Sequence, residues 1–600
     1  MFAAIAIALY SNALGAPFVF DDDHAIVVNE QIRHLSTSLS PTEPGSPLAG
    51  RPLVSLTFAV NYALGGLDPR GYRLVNVAIH ALNALLLFAI ARRLFHPNTA
   101  FAIALIWLVH PLATEPVNYV SQRTELMMAS FFLATLYYGA ADCSTPIRSR
   151  STVMGRLNPV SRPITVLRLQ VMSVVCCALG MACKETMVVA PVVVVLYDRT
   201  FAFGSFREAF RERGRYYAAL CATWIILIAL LWSSPRGDSA GLAGASVSPG
   251  EYLLNQSAMI VRYLRLAFWP RGLVLDYGEP VHISVGNVVP YLAVVGTLLA
   301  ATAVALVRKP RIGFLGAWFF LTLAPTSSIV PISTEVGAER RMYLPLIAIV
   351  VLAVMVVVRA VRRLEGSKGR RFEGSLVRRF AVVIVVVLLA VATYQRNAEY
   401  RSGLTLWQTV LDRWPPHARA HRNLAAELKL ANRPEEEIQH LRAAVNDLPE
   451  IRNLLGLELL ALGRNAEAAS ELHAYLRDHP RDADAWANLG NALSAIGQQD
   501  DAMQAFRQAV DINPNNGLSQ RNLALAYLDQ NDFAHAAAHA REAVRLTPDD
   551  AAAHNLLGLA LIGEQRIDEA IAEFRTSLAL QPTNNDASGY LERTLKGAGR

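Results

Sequence analysis

Apolar residues are spread unevenly along this chain, and that unevenness constrains its fold more than any other feature. Runs that approach the ~20 mostly apolar residues needed to cross a bilayer crowd residues 1–394, and none occurs in 395–600. The 600 residues are 53% hydrophobic and 18% charged, against about 25% charged in soluble domains. A single soluble enzyme is thereby excluded. The expected fold class is all-α: a polytopic transmembrane helical domain over 1–394, a connecting helix over 395–415, and a helical repeat domain over 416–600.

About eleven spans are expected, near residues 2–19, 74–91, 100–117, 125–141, 169–183, 186–197, 216–232, 288–307, 312–332, 342–358 and 380–394. Ala13-Leu14-Gly15-Ala16 loosely matches a signal-peptidase site, but no basic residue precedes it, which favours a retained first span. The net charge of +7 does not point to nucleic acid, because the basic residues gather in short loops. Arg92/Arg93, the arginines from Arg148 to Arg168 and from Arg199 to Arg215, Arg308/Lys309/Arg311, and the cluster from Arg359 to Arg379 all fall on one side, which makes that side cytoplasmic. An odd number of spans then puts 395–600 outside an inner (cell) membrane. Residues 21–73 and 233–287 become long outward loops, and 251–269 is amphipathic enough to lie in the membrane interface. The five cysteines (143, 176, 177, 183, 221) match no metal spacing.

Ionisable residues at the edges of apolar runs carry the chemistry. Asp21, Asp22, Asp23 and His24 end the first span; Glu115, Arg123 and Glu125 follow the third. Lys184 and Glu185 divide the fifth from the sixth, and Glu335, Glu339, Arg340 and Arg341 link the ninth to the tenth. One such group alone marks a helix end in water. Four sets on the same outer face point to a shared site, since charges at apolar edges are costly. A carboxylate there can take a proton from an attacking hydroxyl, and fixed cations can hold a phosphate as it leaves. Outside a cytoplasmic membrane, the simplest phosphate-activated donor is one carried by a lipid.

The soluble part repeats. Pro415, Pro449, Pro480, Pro514, Pro548 and Pro582 recur every 34 residues except for one gap of 31, and Leu424, Leu455, Leu489, Leu523 and Leu557 keep step, each followed by Ala or Gly. This is the tetratricopeptide period. Five repeats and a capping helix over 583–600 are expected, with the three missing residues taken from the start of the second repeat's first helix.

Phe20-Asp21-Asp22-Asp23-His24-Ala25-Ile26 resembles the acidic motif of GT-C membrane glycosyltransferases, and more closely the Phe-Asp-Glu-x-His form of protein O-mannosyltransferases, with Asp22 in place of Glu. Gly50-Arg51-Pro52-Leu53, Asn61-Tyr62, Gly71-Tyr72-Arg73-Leu74-Val75-Asn76, His80, His110-Pro111-Leu112-x-Thr114-Glu115, Arg123-x-Glu125, Lys184-Glu185 and Glu339-Arg340-Arg341-x-Tyr343-Leu344-Pro345 resemble the transmembrane-and-tetratricopeptide (TMTC) O-mannosyltransferases. The resemblance covers about residues 15–350 and the domain order. It implies an inverting transfer of a sugar, with mannose the family's, from a polyprenyl-phosphate carrier to a hydroxyl of an extracytoplasmic protein or glycan. It implies no cofactor, although acidic pairs can also hold a divalent metal. By resemblance Asp21 is the base, with Asp22 its catalytic partner. Arg51, Glu115, Arg123, Lys184, Glu185, Glu339, Arg340 and Arg341 contact substrate, and the repeats bind an acceptor or partner. The alternative is a non-catalytic, membrane-anchored tetratricopeptide scaffold, for which three adjacent aspartates serve no purpose. A transporter fits less well, because the charges sit at one edge and not at the midplane.

Overall fold

Long apolar stretches leave the backbone no partner but itself, so helix dominates. The computed structural model describes residues 1–40, 46–140, 161–233, 247–328, 331–366, 371–415 and 417–599. Cys143 and the loop residues Arg148, Arg150, Arg156, Lys368 and Arg370 lie outside the described residues. Among the described residues every regular element is a helix. The chain divides into two compact units, Met1–His417 and Ala418–Arg600.

Among the described residues of the first unit, five helices are long and apolar enough to cross a membrane: Pro69–Leu94, Glu185–Phe203, Phe206–Ser233, Val285–Arg308 and Ala381–Arg401. A sixth candidate is broken, with Pro97–Leu108 and Pro111–Asn118 meeting at 59°. Shorter apolar helices include Phe2–Ala13, Pro52–Gly65, Val166–Met181, Pro310–Leu323 and Pro345–Ala360. Length and apolarity alone thus mark fewer full spans than the eleven expected.

Three local expectations change. The first span stops being helical by Ala13, short of residue 19. The first outward loop contains the helix Pro52–Gly65, started by Pro52 in its first turn and burying Val54, Phe58 and Ala59 on one face. Residues 395–415 are not one helix: Arg371–Ala398 runs on from the last apolar stretch, a 3₁₀ turn follows at Glu399–Arg401, and Gly403–Arg413 forms separately, all within the first unit.

The amphipathic stretch forms Pro249–Phe268, opened by a capping box between Ser248 and Glu251. Tyr252, Gln256, Met259 and Tyr263 point inward, while Leu253 and Phe268 are exposed. Gln256 donates to the Val336 carbonyl at 2.8 Å, and the Ala338 N–H donates to the Tyr263 hydroxyl at 2.8 Å, so the helix props up residues 335–341.

The second unit is five helix pairs and a final helix: Ala418–Leu430 with Pro434–Val445, Ile451–Ala461 with Asn465–Asp478, Ala483–Ala495 with Gln499–Ile512, Gly517–Asp529 with Phe533–Leu546, Ala551–Gly563 with Ile567–Leu580, then Asn585–Gly597. Close packing explains the small positions. A Cβ on Gly490 would lie 2.4 Å from the Phe506 ring, and one on Gly558 would lie 2.6 Å from Phe574. The turn inside each pair uses one left-handed residue in register: Asn432, Gly463, Gly497, Asn531 and Gln565. The deletion leaves a visible trace. Asp482, Asn516, Asp550 and Asn584 cap the first helices of the later repeats and the final helix with their side chains, whereas Ile451–Ala461 has 11 residues instead of 13 and no side-chain cap at Glu450.

Candidate active site

Residues from distant hairpins meet where the first apolar helix gives out. Phe20 has φ 55, a left-handed conformation that costs an aromatic residue on the order of 1–2 kcal/mol. Strain of this kind persists only where its surroundings enforce it. Here the Phe20 ring packs against Tyr119 and Trp407. The turn separates the two aspartates that follow.

Asp22 points inward and is fully buried. Its carboxylate accepts from the backbone N–H groups of Ser121 (2.7 Å), Val120 (3.2 Å) and Val19 (3.2 Å). Burial pushes this carboxyl up to about 7, against the pull of those N–H groups and of Arg73. Asp22 therefore ties the first segment to the start of the 3₁₀ turn Val120–Gln122, a structural place unlike the catalytic partnership expected of it.

Asp21 stays half-buried. Its N–H donates to the Tyr119 hydroxyl at 3.2 Å, and its side chain is hydrogen-bonded to the same hydroxyl. Burial, reinforced by Asp21 and Asp22, holds the Tyr119 hydroxyl well above its ordinary range. Tyr119 therefore remains a neutral donor that orients Asp21.

Beyond Tyr119 stands Arg340, with its guanidinium 6.0 Å from the ring centre. Glu115, fully buried, accepts from the Arg340 N–H at 2.8 Å and pairs with its guanidinium, and Glu335 holds the other side. Glu335 also pairs with Arg341 at 2.9 Å. Burial pushes Glu335 up, and the two guanidinium groups more than reverse this, to about 2. Asp21, Tyr119, Arg340, Glu115 and Glu335 thus form one continuous chain of contacts.

Glu339 turns the other way. Its carboxylate accepts from the Val274 N–H at 2.5 Å and from the Tyr277 hydroxyl at 3.1 Å, and Arg396 lies 3.7 Å off. Burial raises it to about 8. Among the described residues, one Glu339 oxygen, Arg396 Nε and Nη2, and the Tyr400 hydroxyl are buried without a hydrogen-bond partner, the Glu339 oxygen and Arg396 Nη2 facing each other at 3.7 Å.

Two arginines expected to contact substrate are engaged inside the fold. Arg123 is fully buried and bonds Asn76 (2.8 Å), Asn61 (2.7 Å), Thr57 (3.1 Å) and the Tyr72 carbonyl (2.8 Å). Arg341 bonds the Thr326 carbonyl (2.9 Å) and Glu335. Lys184 pairs with Glu125 at 2.7 Å, and Arg51 with Glu185 at 3.4 Å, a second charged group beside the first turn of Arg123–Ala140. Other motif residues are internal fasteners: Arg73 reaches the Ala16, Pro17 and Asn118 carbonyls, and His80 meets the Tyr343 hydroxyl at 2.7 Å. Tyr119 and Arg396 were missed from sequence. The only signals were a tyrosine between two charged motifs and an arginine at the end of an apolar run.

A family model described as dolichyl-phosphate-mannose-protein mannosyltransferase matches residues 46–145. A tetratricopeptide repeat model matches 388–450, and one for the tetratricopeptide domain of cytochrome c-type biogenesis protein H matches 438–588. Protein O-mannosyl-transferase tmtc2 of Xenopus laevis is 36% identical over 156 residues, 24% of this chain and 18% of that protein. Tmtc1 of Drosophila melanogaster is 28% identical over 312 residues, 46% and 34%. F38B6.6 of Caenorhabditis elegans is 23% identical over 452 residues, 71% and 59%. The chain is similar to protein O-mannosyl-transferases of the TMTC type. The first three such relatives are matched over only 16% to 34% of their own length. Among solved structures, MamA is 19% identical, covering 28% of this chain and 92% of that one at a TM-score of 0.26.

Proposed function

We propose that the first unit is a membrane glycosyltransferase that moves a sugar, mannose by analogy with its relatives, from a polyprenyl-phosphate carrier to a hydroxyl on a protein or glycan. The observation that carries this reading is the division of labour between the adjacent acids. Asp22 is locked inward by three N–H donors, while Asp21, next to a strained turn, stays half-buried and is oriented by a neutral tyrosine. An attacking hydroxyl must lose its proton as the glycosidic bond forms, and a fixed carboxylate supplies that base and steadies positive charge on the ring. Arg340, 12% exposed between two carboxylates, is the cation nearest this base along the contact chain, and it and Arg51 suit the departing phosphate. The basic-loop pattern supports an orientation in which this face, and the repeats, lie outside the cytoplasm of an inner membrane. The repeats would present the acceptor.

Asp21→Asn keeps size and polarity and removes the base. Turnover of a radiolabelled polyprenyl-phosphate sugar by the purified full-length protein is expected to fall ~100-fold or more, with donor binding retained. Activity within a few-fold of wild type excludes Asp21. The second reading, a membrane-anchored scaffold, draws on the structural engagement of Asp22, Arg123 and Arg341. It predicts no donor binding at all.

A further inference from the structure

The helices that carry the charged network have a second feature at their other ends. Arg73 and Arg93 stand near the start and end of Pro69–Leu94, ~30 Å apart at 1.5 Å per residue, which is one hydrocarbon thickness. Arg123–Ala140 and Pro345–Gly366 likewise begin beside the network and end away from it. At that far end lies a cavity of about 470 Å³, within the ~300–1,000 Å³ of ligand sites.

Its wall is apolar, built by Leu87, Leu136, Phe314, Trp318, Ile347 and Val351 among others. Three cations stand on it: Arg93, Arg311 and Arg359. Arg311 and Arg359 are exposed, and Arg93 is half-buried, bonded to the Tyr137 carbonyl at 2.6 Å and lying over that ring. Among the described residues no carboxylate lines the cavity. The three arginines come from separate helices, one near the end of Pro69–Leu94, one at the start of Pro310–Leu323 and one towards the end of Pro345–Gly366.

We propose that this cavity holds an acyl chain of an anionic phospholipid, with the headgroup phosphate against Arg93, Arg311 and Arg359. A neutral apolar ligand leaves the exposed guanidinium groups of Arg311 and Arg359 with water alone, and a soluble anion leaves the apolar wall wet. Only an amphiphile with a negative head meets both, and such lipids line the face where basic loops gather. The sugar donor of the proposed reaction is not this occupant, because its phosphate belongs at the opposite helix ends. The inference stands whether or not that reaction occurs.

Native mass spectrometry of the full-length protein tests it, in detergent with equal phosphatidylglycerol and phosphatidylcholine of matched acyl chains. One phosphatidylglycerol retained per chain is expected. Replacing the arginines singly and together (R93Q, R311Q, R359Q) should weaken that retention about fivefold per arginine removed, with the melting temperature in phosphatidylcholine unchanged. Ala348→Phe, which narrows the cavity, should release the lipid while leaving the arginines in place; if that variant does not fold, the arginine series decides. Equal retention of the two lipids, an unchanged preference in the triple variant, retention by a folded Ala348→Phe protein, or displacement by inorganic phosphate alone would each overturn the proposal.

Discussion

The two units hold themselves together by opposite means. In the repeat unit one contact scheme recurs: a small residue under an aromatic or leucine, a left-handed turn, and a capped helix start. In the membrane unit several buried charges are answered by individual partners far along the chain. Glu115 finds Arg340 across 225 residues, and Asp22 finds Ser121 across 99. A membrane interior offers no water to an unpaired group, so every polar residue there needs a specific answer. The repeats lie beside solvent and can tolerate a missing one.

The sharpest break in this contrast comes from removing a unique partner. Glu115→Ala leaves Arg340 buried with only Glu335, and the membrane unit is expected to lose about 3–5 kcal/mol, the cost of orphaning a buried charge, in a detergent-solubilised thermal melt. A smaller effect is a pH dependence. The folded Glu335 sits at about 2, against an ordinary 4.5. Its contribution is fully present above pH 4.5 and fades as pH falls through about 2, amounting to about 3 kcal/mol. Glu335→Gln should flatten that acid limb in melts taken from pH 6 downward; an unchanged limb would mean the two arginines do not hold it ionised.

In the repeats the expected losses are smaller and local. Gly490→Ala presses a methyl into Phe506 and should cost about 1–3 kcal/mol; urea titration of residues 418–600 measures it, and Phe506→Leu in the same chain should recover part. Least of all, Asp482→Ala removes a helix cap for about 1 kcal/mol, whereas Glu450→Ala, at the repeat that lacks a cap, should change stability by a few tenths at most. Equal losses at both positions would show that the deletion had not removed the cap's function.

The same contrast explains what was legible. Period reveals the repeats because Pro, Leu and Gly return at one spacing, and even the 31-residue gap predicts the shortened helix Ile451–Ala461. Residue type shows that Asp21, Asp22, Glu115 and Arg340 matter, because charges at apolar edges are conspicuous. It does not show which way each points. Asp21 and Asp22 are adjacent and chemically identical, yet one stays half-buried beside Tyr119 and the other is fully buried on three backbone N–H groups. Arg340 and Arg341 divide in the same way, one between Glu115 and Glu335, the other onto the Thr326 carbonyl. Tyr119 carries no charge and so gives no signal in the sequence, although it joins the two halves of the network.

Pro69–Leu94, 26 residues long and closed by Arg92 and Arg93 in its last turn, is also a gauge of bilayer thickness. A thinner membrane would lift one charged layer clear of its headgroups or force the helix to tilt, at a cost of fractions of a kcal/mol per ångström of mismatch. Such a penalty, summed over the helices that share these two levels, favours residence in membranes whose hydrocarbon core is close to ~30 Å and draws the protein out of thinner patches.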